Sequence, residues 1–288
     1  MTIAIAALLG VVQGIFMFLP VSSTAHLVLT QHWLIAQGHE LPPPESPEMI
    51  LFDLVAHVGT LVSIVVVLWS SLFRFSRNTI AGALQVASGK AGYRGLPLYL
   101  RLFLLGMLSV LVTGVLGLTL KTTFELVFAT PAMVAITLSL TGLLLWWTDR
   151  LGPRHRGLKQ INARVATVIG VAQAFALVPG LSRSAMTIVF ALFTGLKRRW
   201  AAEYSFFLAI PTILAATLLQ SREVLGLGGL NGIGLDDLLV VFVVSALVGI
   251  VSLKVVVYFL YKAQLKVFSF YVWALAVAVL LGWVDMPA

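Results

Sequence analysis

Six stretches of this 288-residue sequence are apolar over a length that can cross a lipid bilayer. A helix needs about 20 apolar residues to cover roughly 30 Å of hydrocarbon. Lipid offers no hydrogen-bond partner to a backbone N–H or C=O group, so segments of this kind are expected to be helical. The predicted spans cover residues 49–72, 97–120, 126–148, 201–220, 238–261 and 267–284.

The composition excludes a water-soluble protein. Hydrophobic residues make up 60% of the chain and charged residues 10%, whereas a soluble domain carries about 25% charged residues. There is no cysteine, which removes disulfides, thiolate nucleophiles and thiolate metal sites. Residues 1–10 are apolar and lack a basic leader, so we expect them to belong to the membrane domain rather than to a cleaved signal peptide.

Two further apolar regions, residues 2–34 and 161–196, are each interrupted by a polar cluster beside a proline. The first interruption reads PVSSTAH from Pro20, and the second reads PGLSRS from Pro179. Each half is too short to span comfortably, so both regions are predicted to be helix hairpins that return to the side they entered. The predicted fold class is therefore an all-α integral membrane protein with six transmembrane helices and two re-entrant hairpins.

The two interrupted regions also resemble each other, because a Gly-Val-x-Gln sequence precedes both prolines at Gly10 and Gly170. Each hairpin is followed by three predicted spans, an odd number, so the two halves would enter the membrane from opposite sides. This pattern predicts an inverted-topology repeat within a single membrane domain, 1–288. Repeat one covers 1–150 with hairpin 2–34, and repeat two covers 151–288 with hairpin 161–196.

Lysine and arginine set the expected orientation. The chain holds 19 Lys and Arg against 11 Asp and Glu, a formal charge of +8. Most of the basic residues lie in short loops that this layout places on one side, the cytoplasmic side by the positive-inside rule. Both termini are then external, and Lys121 and Arg222 fall on the outer side. This distribution is typical of topology signalling and argues against nucleic-acid binding.

Polar groups inside so apolar a chain are candidates for function, because burying them in a membrane is costly. Structural roles compete with function at several positions. A serine after the proline can cap a helix, His26 can be a satisfied interior histidine, and Asp53 and Glu203 can start a helix or pair with an arginine. The candidates are Gln13, Ser22, Ser23, Thr24 and His26 in hairpin one, Gln173, Ser182, Arg183, Ser184 and Thr187 in hairpin two, and Asp53, His57, Thr60 and Glu203 in the spans.

Arg183 indicates an anion site, because an unpaired guanidinium at membrane depth costs several kcal/mol. Two half-helix N-termini at the same depth would add backbone N–H groups and positive dipole ends. Phosphate fits such a site best, since a guanidinium matches its oxygens in a bidentate fork. Ser23 and His26 supply a hydroxyl and an imidazole for nucleophilic or acid/base chemistry, and their i, i+3 spacing puts both on one helix face.

At these residues the chain resembles the undecaprenyl-diphosphatase (bacitracin-resistance) family. Segment 10–26, GVVQGIFMFLPVSSTAH, resembles its first signature, and segment 179–187, PGLSRSAMT, resembles its second. The similarity extends over essentially the whole chain and includes segments 52–60 and 203–211. It implies a phosphatase of the bacterial inner membrane that removes the terminal phosphate of undecaprenyl diphosphate, so that the carrier lipid returns to peptidoglycan synthesis.

The resemblance also implies residue roles. Ser23 matches the nucleophilic or activating serine, His26 the acid/base histidine and Arg183 the phosphate-binding arginine. A divalent cation, Mg²⁺ or Ca²⁺, is implied without an identified metal ligand. Met17 stands where the family has a second carboxylate, after Glu or Gln at the position of Gln13. Lesser substrate-binding positions match Gln13, Ser22, Thr24, Ser182, Ser184 and Thr187.

Two other classes of function stay open from the sequence. A non-hydrolytic carrier that moves polyprenyl phosphate across the bilayer would also use an inverted repeat with broken helices, and loss of a carboxylate could leave anion binding intact. A membrane scaffold would make Arg183 and His26 incidental. The expected partners are the lipid diphosphate substrate and the bilayer, and a homodimer is an expectation that the sequence does not decide.

Overall fold

The computed structural model describes residues 1–44, 46–90, 95–127, 131–178, 180–226 and 233–282, the side chains of 120–127, 131 and 223–226 excepted. Within these ranges the chain is all-α, which confirms the predicted fold class. The helices are α1 (Ile3–Phe16), α2 (Ser23–Ala36), α3 (Pro47–Val67), α4 (Trp69–Ala87), α5 (Leu98–Val127), α6 (Pro131–Thr148), α7 (Ala163–Phe175), α8 (Arg183–Phe193), α9 (Arg198–Gly226), α10 (Leu235–Tyr261) and α11 (Lys266–Leu280).

Four of the described helices are long and apolar enough to cross a membrane: α3, α5, α9 and α10. The other two predicted spans are shorter as helices. Residues 126 and 127 belong to α5, so α6 does not begin where the sequence analysis placed it but at Pro131, a residue suited to a first helical turn. The 15 residues of α11 reach about 22 Å, and Gly282 at φ 67° ends the helix. The count of six spans therefore stays a prediction.

The segment after the first span is a helix, which corrects the expected loop. The predicted span 49–72 ends at Val67, and α4 begins at Trp69 after a break at Leu68. Helix α4 carries Arg74 and Arg77 together with exposed apolar side chains such as Phe73 and Ile80. Basic and apolar residues mixed in this way are typical of a helix that lies along a membrane surface rather than across it.

Both interrupted regions form a helix, a break and a second helix. Helices α1 and α2 pack against each other on either side of the first break, and α7 and α8 do so around the second. Pro20 lies in the first break. Pro179, on which the second break was predicted, lies outside the described residues.

In each half of the chain, the first helix of the hairpin packs against a helix of the other half. Helix α1 packs against α10 of the other half, and α7 packs against α5. Small residues permit both approaches: a Cβ atom on Gly14 would lie 2.8 Å from Cβ of Val248, and one on Gly170 would lie 2.7 Å from the Ser109 carbonyl oxygen. Helices α3 and α9 meet between them. The ends of both hairpins are thereby held next to α3 and α9.

The basic segments come together at one end of the bundle. Arg101 at the start of α5 donates to the Lys159 carbonyl oxygen at 2.7 Å. Arg198 at the start of α9 donates to the Thr148 carbonyl oxygen at 2.8 Å, and Asp149 accepts from the backbone N–H of Lys266 at 2.8 Å. The start of α5, the α6–α7 connection, the start of α9 and the α10–α11 turn therefore share one end.

Candidate active site

A cavity of about 390 Å³ lies where the two breaks meet α3 and α9. It extends toward Ile50 in the first turn of α3 and Gln220 near the C-terminal end of α9, away from the basic end of the bundle. Its polar lining comprises Ser22, Ser23 and Thr24 from the first break, Ser182, Arg183 and Ser184 from the second, Asp53 and His57 from α3, and Thr212, Thr217 and Gln220 from α9.

The two breaks present the same helix positions to this cavity. Ser22 is the N-cap residue of α2, and Ser182 is the N-cap residue of α8. Ser23 and Arg183 are the first residues of these helices and Thr24 and Ser184 the second. Two helix N-termini thus point their free backbone N–H groups and positive dipole ends into one cavity, an arrangement that favours an anion.

The first break turns at Ser22, which adopts the left-handed conformation at φ 70° and ψ 86°. This conformation is unfavourable for a residue with a Cβ atom, and the Ser22 side chain makes no capping hydrogen bond. The Ser22 carbonyl oxygen is instead the partner of His26 Nδ1 at 2.7 Å. The imidazole therefore supports the turn that presents Ser23.

The second break uses a glycine and a conventional cap. Gly180 supplies the left-handed residue at φ 87°, and Ser182 Oγ accepts from the Ala185 N–H at 3.3 Å. This confirms the capping role that the sequence left open for Ser182. Ser184 Oγ donates to the Leu19 carbonyl oxygen at 3.5 Å, a long contact that joins the two breaks directly.

Arg183 lies partly exposed in the cavity lining. Among the described residues, no side chain forms an ion pair or a hydrogen bond with its guanidinium. A cation without a protein partner at this depth is well placed to bind an anionic ligand.

Helix α3 adds Asp53 and His57, which the sequence identified as polar residues without assigning them to the site. Asp53 Oδ1 accepts from Gln31 Nε2 at 3.1 Å. His57 Nδ1 lies 2.7 Å from the Asp53 carbonyl oxygen, and the ring lines the same cavity as Arg183. Glu203, by contrast, pairs with Arg199 at 2.9 Å and is not part of the cavity lining.

Three residues predicted for the site are not in the lining: His26, Gln13 and Thr187. His26 Nε2 lies 2.6 Å from the Tyr271 hydroxyl, and its ring stacks on Phe16 with a centroid distance of 3.8 Å. The shared helix face predicted for Ser23 and His26 therefore does not bring both side chains to the cavity.

Gln13 and Thr187 are buried beside the site. Gln13 Nε2 contacts Met17 Sδ at 3.5 Å, and Met17 Sδ also lies 4.0 Å from Ser23 Oγ. Thr187 hydrogen-bonds to Ser205, and this contact joins α8 to α9. Within α8, Thr187 also donates to the Arg183 carbonyl oxygen at 2.9 Å. Met17 therefore occupies the space next to the Ser23 hydroxyl.

Helix α9 also contributes polar residues to the cavity, which the sequence motifs did not predict. Thr212, Thr217 and Gln220 follow Pro211 within an otherwise apolar span. Their spacing places them on adjoining faces of one helix. A search for polar residues on one side of an apolar span would have found them.

The described residues do not form a resident metal centre. No group of three or more His, Asp or Glu side chains among them is placed to hold a metal ion. Among the described residues, the cavity lining has one carboxylate, Asp53, and one of its oxygens accepts a hydrogen bond from Gln31. Mg²⁺ is usually bound through one or two carboxylates together with waters and substrate phosphates, so Asp53 is a weak donor set until substrate phosphates are added.

Comparison with known proteins gives the family. The family model for the bacitracin resistance protein BacA matches residues 6–278. The chain belongs to the BacA family. A relative named undecaprenyl-diphosphatase from Alkalilimnicola ehrlichii is 73% identical over 286 residues, 99% of this chain and 98% of that protein. A second with the same name, from Halorhodospira halophila, is 70% identical over the full length of both chains.

More distant BacA-family relatives also align over nearly the whole chain. One named undecaprenyl-diphosphatase from Alkaliphilus metalliredigens is 35% identical over 281 residues, 98% of each protein. The similarity therefore covers both hairpins and α3 and α9, the elements that line the cavity. Together with the helices it identifies an integral membrane protein.

Proposed function

We propose that this chain is an undecaprenyl-diphosphatase, a membrane hydrolase that removes the terminal phosphate of undecaprenyl diphosphate. The product, the lipid monophosphate, is the carrier used again in cell-wall synthesis. The relatives that match over the full chain carry this name. The observation that carries the proposal is that the N-termini of α2 and α8 contribute Ser23 and Arg183 to the lining of one cavity.

The chemistry assigned to these residues follows from their types. The Arg183 guanidinium and the N–H groups of both helix N-termini bind the diphosphate and stabilise charge that develops during transfer. Ser23 Oγ attacks the terminal phosphorus. Ser22, Thr24, Ser182 and Ser184 surround the phosphate as further hydrogen-bond donors.

The orientation proposed is the one that the basic residues favour. The cavity extends away from the end where the basic segments meet, and in a bacterial inner membrane the basic end faces the cytoplasm. The site then opens to the external face, and both termini are external. The packing of α1 with α10 and of α7 with α5 joins the two halves of the chain. It supports an inverted-topology repeat with its site between the halves.

The divalent cation enters this proposal with the substrate. Diphosphate oxygens supply the ligands that the described residues lack, and bound Mg²⁺ or Ca²⁺ would neutralise charge on the phosphates. The free protein should show no heat of Mg²⁺ binding in a calorimetric titration. Chelation with EDTA should nevertheless stop phosphate release, and added Mg²⁺ or Ca²⁺ should restore it.

The test of the activity is phosphate release from undecaprenyl diphosphate by protein reconstituted in liposomes. Ser23→Ala serves as the inactive variant and Ser88→Ala, at an exposed loop serine, as the matched control. No release above the Ser23→Ala level would contradict the proposal.

The carrier alternative is tested in the same liposomes. Transport would replace hydrolysis as the proposed function if two results were obtained together. The Ser23→Ala protein would move labelled undecaprenyl phosphate across the bilayer, and the unmodified chain would show no hydrolysis. A homodimer stays a prediction, and the mass of the detergent-solubilised protein checks it.

A further inference from the structure

The molecule has two histidines close to the cavity, and they differ in what their ring nitrogens contact. We propose that His57 is the imidazole that transfers protons during phosphate release, and that His26 is a positioning residue that holds the first break in shape. This inference rests on the proposed function. It assigns to His57 the acid/base role that the sequence resemblance gives to His26.

Both nitrogens of His26 already have partners. Nδ1 lies 2.7 Å from the Ser22 carbonyl oxygen, and because a carbonyl oxygen only accepts, Nδ1 carries the hydrogen. Nε2 is then the acceptor for the Tyr271 hydroxyl at 2.6 Å. The ring is also buried, stacked on Phe16. To accept a proton from the substrate site, His26 would have to give up Tyr271.

His57 has the same tautomer but a free acceptor. Nδ1 lies 2.7 Å from the Asp53 carbonyl oxygen, so Nδ1 again carries the hydrogen. Nε2 has no hydrogen-bond partner among the described residues. It is also not one of the fully buried polar atoms, so it is accessible from outside the protein interior. The ring lines the same cavity as Arg183. An unoccupied acceptor in the cavity that Arg183 also lines is what a general base requires.

The helix fixes this orientation. Asp53 and His57 are four residues apart on α3, so the Nδ1 hydrogen bond runs back along the same helix and sets the ring angle. Thr60 Oγ1 donates to the His57 carbonyl oxygen at 2.6 Å one turn further on. The Nδ1 hydrogen bond leaves Nε2 as the acceptor nitrogen of a ring that lines the cavity.

The proposed reaction consists of two displacements at the terminal phosphorus. His57 Nε2 takes the Ser23 hydroxyl proton as Ser23 Oγ bonds to the terminal phosphorus. The bond from that phosphorus to the bridging oxygen breaks, and the leaving lipid phosphate takes the electron pair and then the proton. In the second step His57 takes a proton from water, the hydroxide displaces Ser23 Oγ from phosphorus, and Ser23 recovers the proton. The net reaction consumes one water and releases inorganic phosphate.

The same substitution at the two histidines separates the two roles. An asparagine amide can replace Nδ1–H but not Nε2. His57→Asn should therefore keep the helix contact and lose the base, lowering kcat by about 10²-fold or more with a KM within about threefold. His26→Asn should keep the donor to Ser22 and retain at least about a third of kcat, while His26→Ala loses about tenfold or more because the break is unsupported.

Phosphate release from undecaprenyl diphosphate in liposomes measures these values, with His39→Gln at an exposed histidine as the control. Added imidazole should restore activity to His57→Ala and not to His26→Ala. Thermal unfolding of each variant identifies any loss of folding. Near-normal kcat in His57→Asn, or equal loss in His26→Asn and His26→Ala, would overturn the inference. Absence of release by the unmodified chain would instead contradict the proposed function.

Discussion

The N-termini of α2 and α8 present matching positions to one cavity and differ in the residue that comes first. The N-cap residues are both serine, Ser22 and Ser182, and the second helical residues, Thr24 and Ser184, both carry a hydroxyl. The first residue is Ser23 in one helix and Arg183 in the other. A pair of similar structural elements thus supplies two different groups, a hydroxyl and a cation.

The two breaks also reach their shape by different means. In the second, Gly180 takes the left-handed conformation and Ser182 caps the helix. In the first, Ser22 takes that conformation itself and His26 binds its carbonyl oxygen. In the first break the carbonyl oxygen of the left-handed residue is therefore bound by a side chain of the following helix, whereas in the second it accepts from Thr141 of α6 at 3.3 Å.

Loss of the nucleophile should have the largest effect. Ser23→Ala removes the hydroxyl that, in the proposed function, attacks phosphorus, and kcat should fall by at least about 10³-fold. Release of labelled phosphate measures this fall. Residual activity above about a tenth of normal would show that Ser23 is not the attacking group.

Loss of the cation should come next. Arg183→Ala should lower kcat/KM by about 10²–10³-fold, because in the proposed function the guanidinium binds the phosphates and stabilises the charge that develops on them. Arg183→Lys keeps the charge without the bidentate fork, so its activity should lie between that of Arg183→Ala and that of the unmodified chain. Steady-state kinetics with both variants tests this, and equal activity of Arg183→Ala and the unmodified chain would remove Arg183 from the site.

A carboxylate beside Ser23 should raise the rate. Met17 Sδ lies 4.0 Å from Ser23 Oγ, so the carboxylate in Met17→Glu would sit within reach of the hydroxyl and could accept its proton. We expect an increase of about tenfold in kcat. Met17→Gln is the matched control, since it is polar and uncharged. An unchanged rate in Met17→Glu, with the protein folded, would contradict this account of Met17.

The smallest effects concern stability, and they should have opposite signs in the two breaks. Ser182→Ala removes a capping acceptor and should cost about 1 kcal/mol. Ser22→Gly relieves a left-handed residue with no side-chain cap and should stabilise by about 0.5–1 kcal/mol. Thermal unfolding in detergent measures both. Effects of the same sign would show that the two breaks are supported in the same way.

The sequence predicted the elements whose signal is local. Long apolar segments gave the spans approximately, and the Pro-Ser interruptions predicted both helix breaks, the cavity lining by Ser22, Ser23 and Thr24 and that by Ser182, Arg183 and Ser184. Helix α4 was not predicted as a separate helix, because its apolar residues continue those of α3 and the break at Leu68 has no proline or glycine.

The contacts between distant elements could not be predicted in the same way. Spacing showed that Ser23 and His26 share a helix face, but the direction of His26 is set by Tyr271, 245 residues away. Likewise, His57 reaches the site because α3 packs against α9. Which of two histidines faces a ligand depends on tertiary packing and not on the residues next to it.

A structure of the protein with a non-hydrolysable polyprenyl methylenediphosphonate tests most directly whether the two breaks form one phosphate site. The terminal phosphonate should lie within hydrogen-bond reach of both Ser23 Oγ and the Arg183 guanidinium, between the N-termini of α2 and α8. A phosphonate bound elsewhere, or held by one break with the other more than a water molecule away, would contradict the account.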